Sequence, residues 1–256
     1  MSPDLPPEPT PSPEGALASP QREGSAEPLE SVVQGHAPPK WQEDIPPSDQ
    51  EELNKFGLST GLHVLVADIR MSTSLMKEAV RPANHVAILD NFVSFSRDRA
   101  LQNHGWYDKF TGDGFIAYWV YGREDIERHL IDVLTYARDV LSNFDQVIRA
   151  FRQNSHNFPS GVGIALGLAS GPCSLVRVGG SLTAVGAPMV GARRMVDSCG
   201  PGRLLCNVFL GEVLESSSQL QDAARFKVQR AKVDTKEYPE GQEAYWITFD
   251  DLASKE

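Results

Sequence analysis

No stretch of the 256-residue chain is apolar for the roughly 18 residues that a membrane-spanning helix requires, so no such helix is expected. Cysteine is scarce. Cys173, Cys199 and Cys206 are the only three, and they form neither a Cys-x-x-Cys pair nor a zinc-ligand spacing. They read as small buried apolar residues, and a reducing, cytoplasmic location is expected. The usual phosphate-cradling glycine loops are missing too. There is no Gly-x-x-x-x-Gly-Lys-Ser/Thr element, and Gly161-x-Gly163-x-x-x-Gly167 has the wrong spacing for a dinucleotide fingerprint and lies in a strand-like run. Basic charge is in short supply: 24 Lys and Arg stand against 34 Asp and Glu, a net charge of −10. With no basic patch, a nucleic-acid polymer is not an expected partner.

What is present is unevenly spread. Residues 1–50 hold twelve of the 18 prolines and almost no aromatics. Through residue 55 there are eleven acidic and three basic residues, so this segment carries eight of the ten excess negative charges. Such a composition cannot bury enough apolar surface to offset the entropy of ordering. A disordered acidic, Pro-rich tail over 1–55 and one domain over 56–256 are expected. The acidic N-terminus does not read as a signal peptide.

Within the domain, His63–Ile69 is a near-continuous apolar run ending in an acid, the pattern of a buried strand that delivers Asp68 to its C-terminal end. Ser72, Thr73 and Ser74 then open a helix, and a longer helix covers Asn84–Asn103. Trp106–Phe110 and Phe115–Val120 are strands around Thr111-Gly112-Asp113-Gly114, a hairpin signal. Leu130, Val133, Leu134, Ala137, Val140, Leu141 and Phe144 recur at helical spacing along Glu124–Arg152. Val162–Ala169 is a strand, turned at Ser170-Gly171-Pro172, with Ser174–Val178 returning. Val190–Cys199 is a helix, Leu204–Val208 a strand, and Phe226–Val233 with Ala244–Phe249 a last pair of strands. This order predicts an α+β sandwich, with helices packed on a mainly antiparallel sheet.

Two residues stand out chemically. Asp68 closes a buried strand and Asp113 sits in a hairpin turn, so the two carboxylates can face one another. Such a pair repels itself unless a cation lies between, and hard oxygen ligands suit Mg²⁺ or Mn²⁺. Two metal ions held there could activate an attacking oxygen and neutralise triphosphate charge. Ser72 and Thr73 stand at a helix start, which serves either as simple capping or as a phosphate site.

Val66-Ala-Asp-Ile-Arg-Met-Ser-Thr73, Lys109-Phe-Thr-Gly-Asp-Gly114, Ile164-Ala-Leu-Gly-Leu-Ala-Ser-Gly171, Thr183-Ala-Val-Gly186 and Arg194 together resemble the class III adenylate/guanylate cyclase catalytic domain. The motifs occur in family order over about residues 60–250. The resemblance implies a ferredoxin-like core and a head-to-tail homodimer with two active sites at its interface. One protomer would supply Asp68, Asp113 and the Ile69 carbonyl to two Mg²⁺ or Mn²⁺ ions, and the Ile69–Thr73 turn, with Ser72 and Thr73, to the triphosphate. Its partner would supply Lys109 and Thr183 to the base, Arg194 to the transferring phosphorus and Lys236 to phosphate. The substrate would be a nucleoside triphosphate, closed into a 3′,5′-cyclic nucleotide.

There are departures from the pattern. Val190 stands where the family usually has an asparagine, four residues before Arg194, and Gly186-Ala-Pro-Met-Val190 replaces Gly-Asp-Thr-Val-Asn. Lys109 and Thr183 match the purine readers of adenylate cyclases, which points to ATP. The altered helix and the absence of sensor modules suit the bacterial pyrimidine cyclases of anti-phage signalling, which make cyclic UMP or CMP; the reading leans to these. GTP fits less well, because the family's guanine reader at the Lys109 place is usually Glu. The alternative is a cyclase-like module that binds nucleotide or a partner without catalysis.

Overall fold

The structure is a computed structural model, and it describes residues 58–78, 82–121, 126–152, 158–178, 181–235 and 238–253. The expected acidic tail lies outside the described residues, as does Lys236.

The order is β1 (Leu58–Arg70), α1 (Ser72–Glu78), α2 (Pro82–Gln102), β2 (Trp106–Phe110), β3 (Gly114–Tyr121), α3 (Ile126–Arg152), β4 (Gly163–Val178), β5 (Ser181–Val185), α4 (Ala187–Ser198), β6 (Arg203–Asn207), α5 (Val208–Ser216), α6 (Ser218–Ala224), β7 (Phe226–Val233), β8 (Gln242–Phe249) and α7 (Asp250–Ala253). The strands make one eight-stranded sheet in the order β2-β3-β1-β4-β6-β8-β7, with β5 also paired to β4. Among the described pairs only β4 and β6 run parallel; the others are antiparallel. The expected α+β architecture is the one observed.

The apolar run in β1 has a simple cause. Strand side chains alternate between faces, and both faces of β1 are covered. Leu65, Ala67 and Ile69 join the core built with Phe92 of α2 and Leu130, Leu134 and Phe144 of α3. Leu62, Val64 and Val66 join a second core, closed by Ala192, Met195 and Val196 of α4. The three cysteines are buried and unpaired, and burial pushes the Cys199 thiol up to about 12. No described helix is long and apolar enough to cross a membrane.

Two expectations need correction. Ser170-Gly171-Pro172 is not a turn: β4 runs straight through it, paired to β1 from Gly163 to Leu175. The chain reverses only after Val178, and β5 is the returning strand. The position tolerates proline because β6 pairs β4 only over 165–168 and β5 only over 174–178. Pro172 therefore has no partner on that edge whose ladder its missing N–H would break. The short helices α5 and α6 were also not anticipated; each starts on a side-chain cap, Asn207 accepting from the Leu210 N–H and Ser217 from the Leu220 N–H.

Candidate active site

β1 is a central strand, flanked by β3 and β4, and it carries Asp68 near its C-terminal end opposite Gly114 on one side and Ala165 on the other. The β2–β3 turn brings Asp113 alongside. The Ile69 N–H donates to the Asp113 carbonyl at 2.8 Å, and the Thr111 N–H donates to the Gly114 carbonyl at 2.9 Å. Glycine is required at both ends of this turn. Gly112 has φ 102°, a backbone that side chains disfavour. A Cβ on Gly114 would sit 2.8 Å from the Ala67 carbonyl carbon, and closer still to its oxygen.

Asp68 and Asp113 lie close enough for the charge of one to act on the other. Asp68 is largely buried, and burial is the strongest influence on it, raising its pKa. Arg70 pulls the pKa down, and the neighbouring Asp113 carboxylate pushes it up. Two carboxylates close enough to feel one another, with the Ile69 backbone fastened between them, form an oxygen-rich site suited to a hard divalent cation. Among the described residues no third His, Cys, Asp or Glu joins them. A metal ion would therefore complete its shell with the Ile69 carbonyl, water or substrate oxygens.

Sequence reasoning did not anticipate Arg70. Its Nη1 lies 3.0 Å from Asp68 Oδ2, and its Nη2 donates to the Val196 carbonyl of α4. One guanidinium thus ties the aspartate to the helix that carries Arg194. Ser72 is placed beside the aspartate pair. Its hydroxyl donates to Asp113 Oδ2 at 3.1 Å and helps hold that carboxylate. Thr73 is exposed. Between β1 and α1, Met71 takes φ 61°, a left-handed conformation unusual for a side chain of this kind.

On α4, residues one turn apart share a face. Arg193 and Asp197 form a 2.9 Å pair, and both act on the Asp68 carboxylate. The Arg194 guanidinium lies over the Tyr238 ring, 5.7 Å from the centroid, in the connection between β7 and β8. Val190, one turn before Arg194, is 49 % exposed. Lys109 and Thr183 converge on a second cluster. Lys109 Nζ is 3.1 Å from Asp108 Oδ2, and the Tyr118 hydroxyl donates to that same oxygen at 2.7 Å. The Thr183 hydroxyl and the Ala184 N–H face the Tyr118 phenol oxygen.

No family model and no curated protein sequence matches the chain. Solved structures do. The adenylyl cyclase CyaB from P. aeruginosa aligns with TM-score 0.63 and 17% identity, over 74% of this chain and 94% of that one. The guanylate cyclase domain of RhGC from Catenaria anguillulae, in complex with GTP, aligns with TM-score 0.54 and 17% identity, over 74% of this chain and 97% of that one. A class III adenylyl cyclase-like ATP-binding protein from Pseudomonas aeruginosa aligns with TM-score 0.55 and 19% identity, over 65% of this chain and 37% of that one. Together with the sheet order and the paired aspartates, these likenesses show that the chain has the fold of class III adenylyl and guanylyl cyclase catalytic domains.

Proposed function

We propose that the chain is a nucleotidyl cyclase that converts a nucleoside triphosphate into a 3′,5′-cyclic nucleotide and pyrophosphate. The observation that carries this reading is the nearness of Asp68, at the end of β1, to Asp113, in the β2–β3 turn fastened to the Ile69 N–H, on a cyclase fold. The ribose 3′-oxygen attacks the α-phosphorus, its proton passes to solvent or to Asp68, and the bond to the β-phosphate breaks as pyrophosphate leaves. The barrier is mostly charge and positioning. Two Mg²⁺ or Mn²⁺ ions bound to Asp68, Asp113 and the Ile69 carbonyl would activate the 3′-oxygen and offset phosphate charge.

The remaining parts come from a second copy in a head-to-tail homodimer. Arg194 supports this arrangement, because within one chain its guanidinium lies over the Tyr238 ring of the β7–β8 connection. In the dimer Arg194 stabilises charge on the transferring phosphorus, with Lys236 on phosphate and Lys109 and Thr183 on the base. Ser72 and Thr73 border the triphosphate. The substrate is ATP or a pyrimidine triphosphate, the latter matching a role in anti-phage signalling in the cytoplasm.

A nucleotide-binding module without turnover is the second reading. Its motive is the exposed, apolar Val190 one turn before Arg194, and one neighbour of the same fold is described as an adenylyl cyclase-like ATP-binding protein. Incubating the protein with Mn²⁺ and each of ATP, GTP, CTP and UTP separates the two. Cyclic product from at least one supports the cyclase; binding with no product supports the module.

A further inference from the structure

The β2–β3 ladder slips at one point. Tyr107 pairs with Ala117 and Lys109 with Ile116, so Asp108 is the extra residue of a β-bulge. Bulges re-aim side chains, and here the carboxylate reaches the Tyr118 hydroxyl, beside the Trp106–Tyr118 edge-to-face contact. The Asp108 side chain is only 5 % exposed, whereas Lys109 beside it is 51 % exposed. A buried carboxylate is costly unless it is paired and hydrogen-bonded. Asp108 is both: a single oxygen takes the Tyr118 hydroxyl and the Lys109 ammonium. Burial and the Asp108 charge hold the Tyr118 phenol far above its ordinary pKa, so it remains a donor to Asp108. Thr183 and Ala184 of β5 also act on the Tyr118 phenol, in the direction opposite to burial.

We infer that Asp108 is a positioning residue for base selection: it holds the Lys109 ammonium directly and the Thr183 side of the pocket through Tyr118. This inference rests on the cyclase-fold nucleotide site proposed above. Lys109 has no acceptor, and one of its N–H groups is committed to Asp108. It therefore offers the base donors only. The one carboxylate of this cluster is buried and turned to Tyr118 and Lys109, so it is withheld from the base. Adenine, cytosine and uracil each present an acceptor that such a donor can read. Guanine adds an adjacent N1–H and exocyclic amine, two donors that need the acceptor Asp108 withholds. Asp108 thereby holds Lys109 in the donor role on which discrimination against guanine depends.

The test is a double-mutant cycle of Asp108→Asn and Lys109→Met, read by titrating the full chain with each of the four triphosphates in Mg²⁺ and, in parallel, by kcat and KM. Asparagine keeps the shape and an acceptor for Tyr118 but removes the charge that anchors Lys109. Losing one charge-assisted hydrogen bond is expected to reduce discrimination between the preferred nucleotide and GTP about tenfold. The change should fall on KM and Kd, with kcat within about threefold, since only ground-state positioning is lost. In the Lys109→Met background, Asp108→Asn should add nothing further. An Asp108→Asn protein that melts lower yet keeps the native base ranking would overturn the inference and leave Asp108 a structural residue. A wild type that prefers GTP would overturn it as well. If wild type binds the nucleotides without cyclising any, the cyclase reading fails, while the Kd ratios still decide the role of Asp108. No binding of any nucleotide overturns both.

Discussion

Replacing Gly167 with alanine would ask β4 and α4 to occupy the same space. Gly167 lies in the middle of β4, paired with Val66 of β1 and Leu205 of β6, and α4 lies directly over it. An added Cβ would fall 2.9 Å from Val196 Cα, and closer still to the Ala192 carbonyl oxygen and the Val196 nitrogen. All three are backbone atoms, so no side-chain rotation relieves the clash. The helix must retreat by about 1 Å, an overpacking that costs about 1–3 kcal/mol. For a domain of this size the melting temperature should fall by roughly 3–10 °C. The functional effect should be larger, because α4 carries Arg194 and its Val196 carbonyl holds Arg70 against Asp68. A displacement on the order of 1 Å in catalytic positioning can lower kcat by about 100-fold. Gly191→Ala is the matched control. Its Cβ would meet only the Ala169 methyl, at 3.2 Å, while a helix gains from alanine, so stability and turnover should hold. Thermal melts and initial-rate measurements on the two variants check this. A Gly167→Ala protein with unchanged melting temperature and turnover would refute the seating of α4 on the sheet.

His63 is buried, hydrogen-bonds Ser170, stacks on Tyr121 and lies near His129; burial first, then His129, lower its pKa from 6.5 to about 3. Its unfolded form takes up a proton below about 6.5 and the folded form does not, so stability is full above that pH and falls toward pH 3 by up to about 1.4 kcal/mol per unit. Denaturant melts across this range should show that slope, and His63→Gln should remove it. Met71→Gly releases a left-handed side-chain conformation and should add about 1 kcal/mol, measured as a melting shift of about 2–4 °C. Asp68→Ala and Arg194→Ala should each be inactive, yet an equal mixture should recover about a quarter of wild-type turnover, because half the dimers hold one intact site. No recovery in a mixture that exchanges subunits would contradict a shared site.

Much of the frame was legible because local chemistry and tertiary position agree. The apolar run before Asp68 reads as a strand covered on both faces, and it is one. The Gly-Asp-Gly turn reads as a hairpin, and Gly114 is held there by contact with β1. Gly163 and Gly167, excluded as a nucleotide loop, are where Pro201 and α4 approach the sheet. Pro172 misled, since proline ordinarily ends a strand and only the pairing pattern of β4 shows why it does not here. The short helices α5 and α6 follow strand or helix without turn residues, leaving only Asn207 and Ser217 as cap signals. The partners of the site were the least legible. Arg70 meets the carbonyl of Val196, 126 residues away, and Asp108 reaches Tyr118 through a bulge that no periodicity announces.

The central claim is that Asp68 and Asp113 serve a cyclisation reaction. Its most direct test is to incubate the full chain with Mn²⁺ and each of the four nucleoside triphosphates, and to measure pyrophosphate and cyclic nucleotide together. The account predicts equal amounts of both from at least one triphosphate other than GTP, and none from Asp68→Ala. A folded dimer that binds nucleotide but releases neither, or an Asp68→Ala protein as active as wild type, would contradict it.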